Sequence, residues 1–253
     1  MSIREAIAAV RSSIDAAALR VGRSPEEITL MAVSKTFPAE QVVEAYAAGI
    51  RVFGENRVQE FAGKAAALQQ LRGAGFHLIG HLQSNKAAKA VELFDAVDSV
   101  DSLRLARRLN EAAMHSRKRL PVLMEINVGR EEQKAGLAED SPELEELLQA
   151  APSLEHLEFR GLMTVPPYTE DPEGARPFFR KLRDLARRLA ARKLPGISLD
   201  VLSMGMSHDF ETAIEEGSTC VRIGTAIFGT RLPAAGNPGP PVLANQGTHR
   251  SKP

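Results

Sequence analysis

Apolar residues at Ile3, Ile7, Val10 and Ile14 alternate spacings of four and three, which predicts a helix over 2–20 with a single apolar face. From Ile28 onward the pattern changes. Short apolar or β-prone runs begin near Ile28, Arg51, Phe76, Ala96, Pro121, Leu157, Leu199 and Thr219, and each of the first seven leads into a helical stretch. These stretches include 38–49, 60–71, 103–115, 142–148, 175–192 and 210–216. Ser84, Asp101 and Ser141 stand where N-caps are expected. Strands alternating with helices require parallel pairing through right-handed crossovers, and eight units close a barrel. The expected fold class is therefore α/β, a (β/α)8 TIM barrel with an extra N-terminal helix. The alternative, an open doubly wound sheet, usually carries G-x-G-x-x-G after its first strand, and that motif is missing here. The barrel is expected to occupy 1–231. Residues 232–253 hold five prolines and three glycines without periodicity, so a disordered tail with no second domain is expected.

Composition narrows the function classes. Of 253 residues, 43% are hydrophobic and 25% charged, with Lys plus Arg equal to Asp plus Glu at 32 each. Nothing in that balance suggests a nucleic-acid or anionic-membrane footprint. The single cysteine, Cys220, lies in an apolar run, so no disulfide framework is expected and a reducing, cytoplasmic setting is. No apolar run approaches the ~20 residues of a membrane span, and the charged N-terminus lacks a signal-peptide core. No set of metal ligands stands out.

In a barrel of this kind, chemistry gathers at the carboxyl ends of the strands, and here those ends are polar or glycine-bearing. Ile28–Val33 runs through Ser34 into Lys35, and Pro38 then opens a helix. A lysine at that point, partly desolvated, makes a Schiff-base nucleophile; a solvated loop lysine is the plainer reading. The second strand ends in Gly54-Glu-Asn-Arg57, the third in Gly80-His-Leu-Gln-Ser-Asn-Lys86 and the sixth in Met163-Thr164.

The last two strand ends form the sharpest group. Ser203-Met-Gly-Met-Ser207 precedes a helix, and Arg222-Ile-Gly-Thr225 offers glycine and a hydroxyl. Glycine lets backbone amides approach an anion and hydroxyls donate to it. The loops after strands 7 and 8 are also the usual phosphate site of this fold. A phosphate cup opposite a strand-end lysine reads as a site for pyridoxal 5′-phosphate (PLP), held as a Lys35 aldimine. Arg222, two residues before Gly224, is placed to point into the mouth. An arginine beside the pyridine nitrogen keeps its proton, so it donates and leaves that nitrogen unprotonated. The ring then withdraws electrons poorly; the alternative is a structural arginine paired with one of the barrel carboxylates.

These segments also resemble a known family. Met31-Ala-Val-Ser-Lys-Thr36, Phe53-Gly-Glu-Asn-Arg57, Gly80–Lys86, Gly161-Leu-Met163, Leu202–Asp209 and Gly217–Gly229 are similar to the corresponding motifs of the pyridoxal-phosphate homeostasis proteins, over about residues 3–231. The fold of that family is similar to the N-terminal barrel of alanine racemase. The resemblance implies Lys35 as the aldimine lysine and Arg222 as partner of the pyridine nitrogen. It implies Ser207, Gly224 and Thr225 as the phosphate cup, with Ser203 and Gly205 beside it. It further implies a protein that binds and buffers PLP, influences vitamin B6 and amino-acid pools, and has no established catalytic activity.

Asn56 is a candidate for the ring face or the lysine, with a helix N-cap as the alternative. His81 is a candidate neighbour of the cofactor, and Lys134 resembles a family lysine after strand 5 that could offer a second amine. Expected partners are PLP and PLP-dependent apoenzymes, with the chain acting as a monomer because the usual racemase dimer contacts are missing. Two rivals remain open. One is a PLP-dependent amino-acid racemase; the other is a Schiff-base aldolase that uses Lys35 without a cofactor.

Overall fold

A computed structural model describes residues 1–131 and 133–229; the expected tail lies outside the described residues. Helix α1 (Ile3–Arg20) precedes eight parallel strands: β1 (Thr29–Val33), β2 (Val52–Glu55), β3 (Gly75–Leu78), β4 (Ala96–Val100), β5 (Leu120–Glu125), β6 (Leu157–Met163), β7 (Ile197–Met206) and β8 (Cys220–Ile223). Between and after them lie α2 (Ala39–Ala47), α3 (Val58–Leu68), α4 (Ala87–Leu93), α5 (Leu103–His115), α6 (Pro142–Ala150), α7 (Arg176–Ala191), α8 (Phe210–Glu215) and the short α9 (Thr225–Phe228). Each strand pairs with the next in sequence, and β8 closes on β1 with Met31 opposite Arg222. The structure is a (β/α)8 barrel with an N-terminal helix, and every strand begins within two residues of its expected start.

Apolar periodicity explains the layering. Along β1, Leu30 and Ala32 join the helix-facing core together with Val10, Ile14 and Val42. Met31 and Val33, also buried, fall on the opposite face, inside the barrel. In α7 the apolar stripe Phe179, Leu182, Leu185, Ala186 and Leu189 is buried while Arg180, Arg187 and Arg188 are exposed. Each of these leucines and the phenylalanine contributes about 1.5–3 kcal/mol by leaving water. Helix α1 packs against α8, α9 and α2, and Arg20 ties it to Glu211 and Glu215 at 2.9 and 2.8 Å.

Two caps differ from expectation. Ser84 lies inside a 3-10 turn at 84–86 rather than capping it. At α5 the cap is Ser102, which accepts from the Leu105 amide at 3.3 Å, while Asp101 turns to His81. Ser141 caps α6 as expected. No helix among the described residues is long and apolar enough to cross a membrane.

Candidate functional site

Three consecutive strands place most of the candidate residues together. Lys35 lies two residues past the end of β1, half-buried in a turn that follows the barrel-facing Met31 and Val33. On the neighbouring strand, a Cβ built at Gly224 would lie 3.4 Å from the Val33 carbonyl oxygen, so the loop after β8 runs alongside the residues that lead into Lys35. Phe37 stacks on Phe228 at 4.9 Å and holds the first loop against α9. Ser207, just past β7, accepts a hydrogen bond from the Ala226 amide at 3.3 Å, joining the loops after β7 and β8. Thr225 is exposed at the rim.

Beneath this rim lies Arg222, only 3% exposed. Its guanidinium donates to Ser203 Oγ at 2.7 Å and to the Thr164 carbonyl at 2.6 Å. Burial pulls it below the usual arginine range, and the nearby Cys220, Asp98, Glu125 and Asp209 oppose that pull. It stays a cation with donors to spare, because an arginine starts so far above neutrality and offers five N–H groups. Ser203 is fully buried inside β7 and is spent on Arg222, one layer below the mouth. Gly205 also lies within β7, with φ of 94°, and a Cβ there would come 2.6 Å from Ala213 Cβ. Its role is to let α8 pack against β7.

The remaining candidates spread around the rim. Asn56 follows β2 and its carbonyl would lie 2.3 Å from a Cβ at Gly80, so the ends of β2 and β3 are in direct contact there. The N-cap of α3 is Arg57, which excludes the capping alternative for Asn56. His81 is 58% exposed and pairs with Asp101 at 2.9 Å. With Asn56, Arg57 and Lys86 it lines a depression of about 320 Å³. Lys134 pairs with Glu131 at 2.9 Å and donates to the Pro166 carbonyl at 3.2 Å, bridging the loops after β5 and β6. A larger groove of 690 Å³ lies between α4 and α5, on the outer helix layer.

Sequence reasoning missed three participants. Glu125, at the end of β5, has a buried Oε2 with no hydrogen-bond partner among the described residues. Burial, reinforced by Asp101 and opposed by Arg222 and His81, raises its carboxyl to about 7. Glu55 and Lys64 form a buried pair at 2.8 Å behind Lys35. The signal available for Glu55 was its place at a strand end; Lys64 reads from sequence as an ordinary helix-surface lysine. Cys220 is pushed up to about 12 by burial, so its thiol is inert. No cluster of three metal-ligating side chains occurs among the described residues.

Known proteins are similar to this chain in sequence and fold. Residues 7–232 match the family described as "Alanine racemase, N-terminal domain". The pyridoxal phosphate homeostasis protein of Aquifex aeolicus is 43% identical over 231 residues, covering 91% of this chain and 99% of that one. Its namesake from Escherichia coli K12 is 48% identical over 227 residues, covering 89% and 95%. Among solved structures, PipY of Synechococcus elongatus, solved with PLP bound, aligns at a TM-score of 0.78 with 38% identity over 90% of this chain and all of that one. Alanine racemase of Clostridium difficile shares the fold at a TM-score of 0.67 and 15% identity, this chain spanning 58% of it. Matched over about nine tenths of its length by these two relatives and over residues 7–232 by the family itself, the chain belongs to the alanine racemase N-terminal domain family, among its pyridoxal phosphate homeostasis proteins.

Proposed function

We propose that this protein binds PLP, with Lys35 as its covalent anchor, and serves in PLP and amino-acid homeostasis as a carrier rather than as a catalyst. The observation that carries the reading is a lysine two residues past the end of β1, on the strand whose Val33 touches Gly224 of the loop after β8 and whose Met31 pairs with the buried Arg222. Relatives that bear the homeostasis name over their whole length, and the PLP bound by PipY, support it.

The residues present fit such a group. Bound PLP supplies an aldehyde that condenses with a primary amine and a ring that can accept electrons. Lys35 offers the amine. Ser207, Gly224 and Thr225 take the phosphate on two loops already joined by the Ser207–Ala226 hydrogen bond. Arg222, held by Ser203 and Thr164, presents its spare donors to the pyridine nitrogen and withholds a proton from it. That arrangement restrains carbanion chemistry, which a racemase needs together with a base on each face of the substrate Cα. Tyr168, the tyrosine nearest the mouth in sequence terms, is 80% exposed and rests against the His208 ring at 5.6 Å. The cytoplasm, with PLP-dependent apoenzymes as recipients and the chain as a monomer, is the setting this reading entails.

The test is a visible spectrum of the purified protein before and after borohydride reduction, with the modified peptide mapped. A yellow protein labelled at Lys35 is expected. A colourless protein, or a label on Lys86 or Lys134, overturns the assignment. Incubation with L- and D-alanine in deuterated water separates carrier from racemase: enzyme-like Cα exchange lost in Tyr168→Phe would restore the racemase.

A further inference from the structure

Behind Lys35 lies an ionic group that the cofactor reading leaves unused. Ser34 and Phe37 bound a four-residue turn closed by the Phe37 amide on the Ser34 carbonyl at 3.2 Å, with Lys35 and Thr36 at its centre. Thr36 has φ of 67° and Lys35 does not share the positive value. That is the pattern of a type II turn, whose third position normally takes glycine. A β-branched residue there is strained, and such strain persists only where the surroundings over-determine it.

The surroundings here do so. Glu60 accepts the Thr36 amide hydrogen. Lys64 donates to the Ser34 and Phe37 carbonyls at 2.8 and 3.0 Å, gripping both ends of the turn. The same ammonium pairs with Glu55 Oε1 at 2.8 Å, and that oxygen also accepts from Ser34 Oγ at 2.5 Å. The side chains of Lys64 and Glu55 are 10% and 0% exposed. A buried pair of this kind is a poor source of stability, because desolvation of both ions offsets their attraction. What it supplies is direction. The Ser34 hydroxyl turns to Glu55 and both ends of the turn are bound by Lys64, so the pair stands immediately behind the turn that carries Lys35.

We propose that Lys64, with Glu55 and Glu60, is a positioning clamp that aims the Lys35 amine, so that the site favours an aldehyde-bearing pyridine phosphate over the corresponding alcohol. The inference rests on the assignment of Lys35 made above. The clamp takes no part in the bond itself. Lys35 Nζ, as the neutral amine, forms a C=N bond with the aldehyde carbon, and the aldehyde oxygen leaves as water with the two amine hydrogens.

The test compares pyridoxal 5′-phosphate with pyridoxine 5′-phosphate, which has the same phosphate and ring but cannot condense. Both are titrated into wild type, Lys64→Met and Glu60→Ala, with adduct absorbance and melting temperature recorded. In Lys64→Met the alcohol should bind within about twofold of wild type while the preference for the aldehyde falls about tenfold or more, the scale of a misdirected reacting group. Glu60→Ala leaves the Lys64–Glu55 pair in place and should lose about threefold of the preference; it decides the matter if Lys64→Met does not fold. An unchanged preference in the folded variants overturns the clamp alone. A wild type that forms no adduct overturns the Lys35 assignment and the clamp with it.

Discussion

Arg222 Nη1 donates to Ser203 Oγ at 2.7 Å in a part of the barrel where both side chains are shut off from water. The bond joins β8 to β7 and sets the guanidinium one layer below the rim. With the Thr164 carbonyl it accounts for two of the five N–H groups. Glu125 lies near enough to feel the same charge.

Ser203→Ala leaves a buried charged donor short of its acceptor. It should lower stability by about 1.5–3 kcal/mol, the usual cost for hydrogen bonds to charged groups. Urea denaturation of the apoprotein measures it, and an unchanged midpoint would mean that another acceptor replaces the serine.

Glu125 makes stability depend on pH. Its folded-state carboxyl lies near 7, above the ordinary 4.5, so the folded protein holds this proton longer than the unfolded chain does. The contribution is present below pH 4.5 and is lost as pH rises to about 7. Glu125→Gln removes the cost of ionising a buried group. It should be more stable than wild type at pH 8, by up to about 3 kcal/mol, with no gain at pH 4. Melting temperatures of both proteins across that range check the sign; a gain confined to acid pH would refute it.

Glu216, 4% exposed, accepts from Arg176, Arg180 and Arg183 at 2.9, 3.0 and 2.6 Å, fastening α7 to α8. Glu216→Ala removes the buried carboxylate the three share, while Arg176 keeps Glu173 and Glu215 and Arg183 keeps Asp184, so it should cost about 1.5–3 kcal/mol. Arg180 is 56% exposed, so Arg180→Ala should cost less than about 1 kcal/mol. Equal losses in the two variants would show that the cluster behaves as a set of ordinary surface pairs.

Gly205→Ala meets Ala213 Cβ at 2.6 Å at a φ of 94°. A loss of at least about 2 kcal/mol is expected from strain and overpacking together. Because α8 must move, PLP affinity should fall as well. Thermal melts and cofactor titration of the one variant read both effects.

Much of this protein was legible in its sequence because the relevant physics is local. Short apolar runs and periodic helices marked the strands and their order, and the run from Ile28 to Val33 put Lys35 at the carboxyl end of a strand before any contact was known. Ser141 could be recognised as a cap because a cap and its amides lie within one helical turn. Only the tertiary structure decided what each side chain meets across the barrel wall. Ser203 was expected beside a phosphate, and it sits beneath Arg222 because the register of β7 on β8 brings together residues 19 apart. Thr164 reaches the same guanidinium across 58 residues. Lys64 reads as solvated until α3 packs on β2 and encloses it with Glu55. Glu125 acquires its shifted carboxyl only when closure of the barrel removes it from water near Asp101 and Arg222. Periodicity specifies which face a residue occupies; strand register and burial specify its partner and its charge, and neither is encoded within a single segment of the chain.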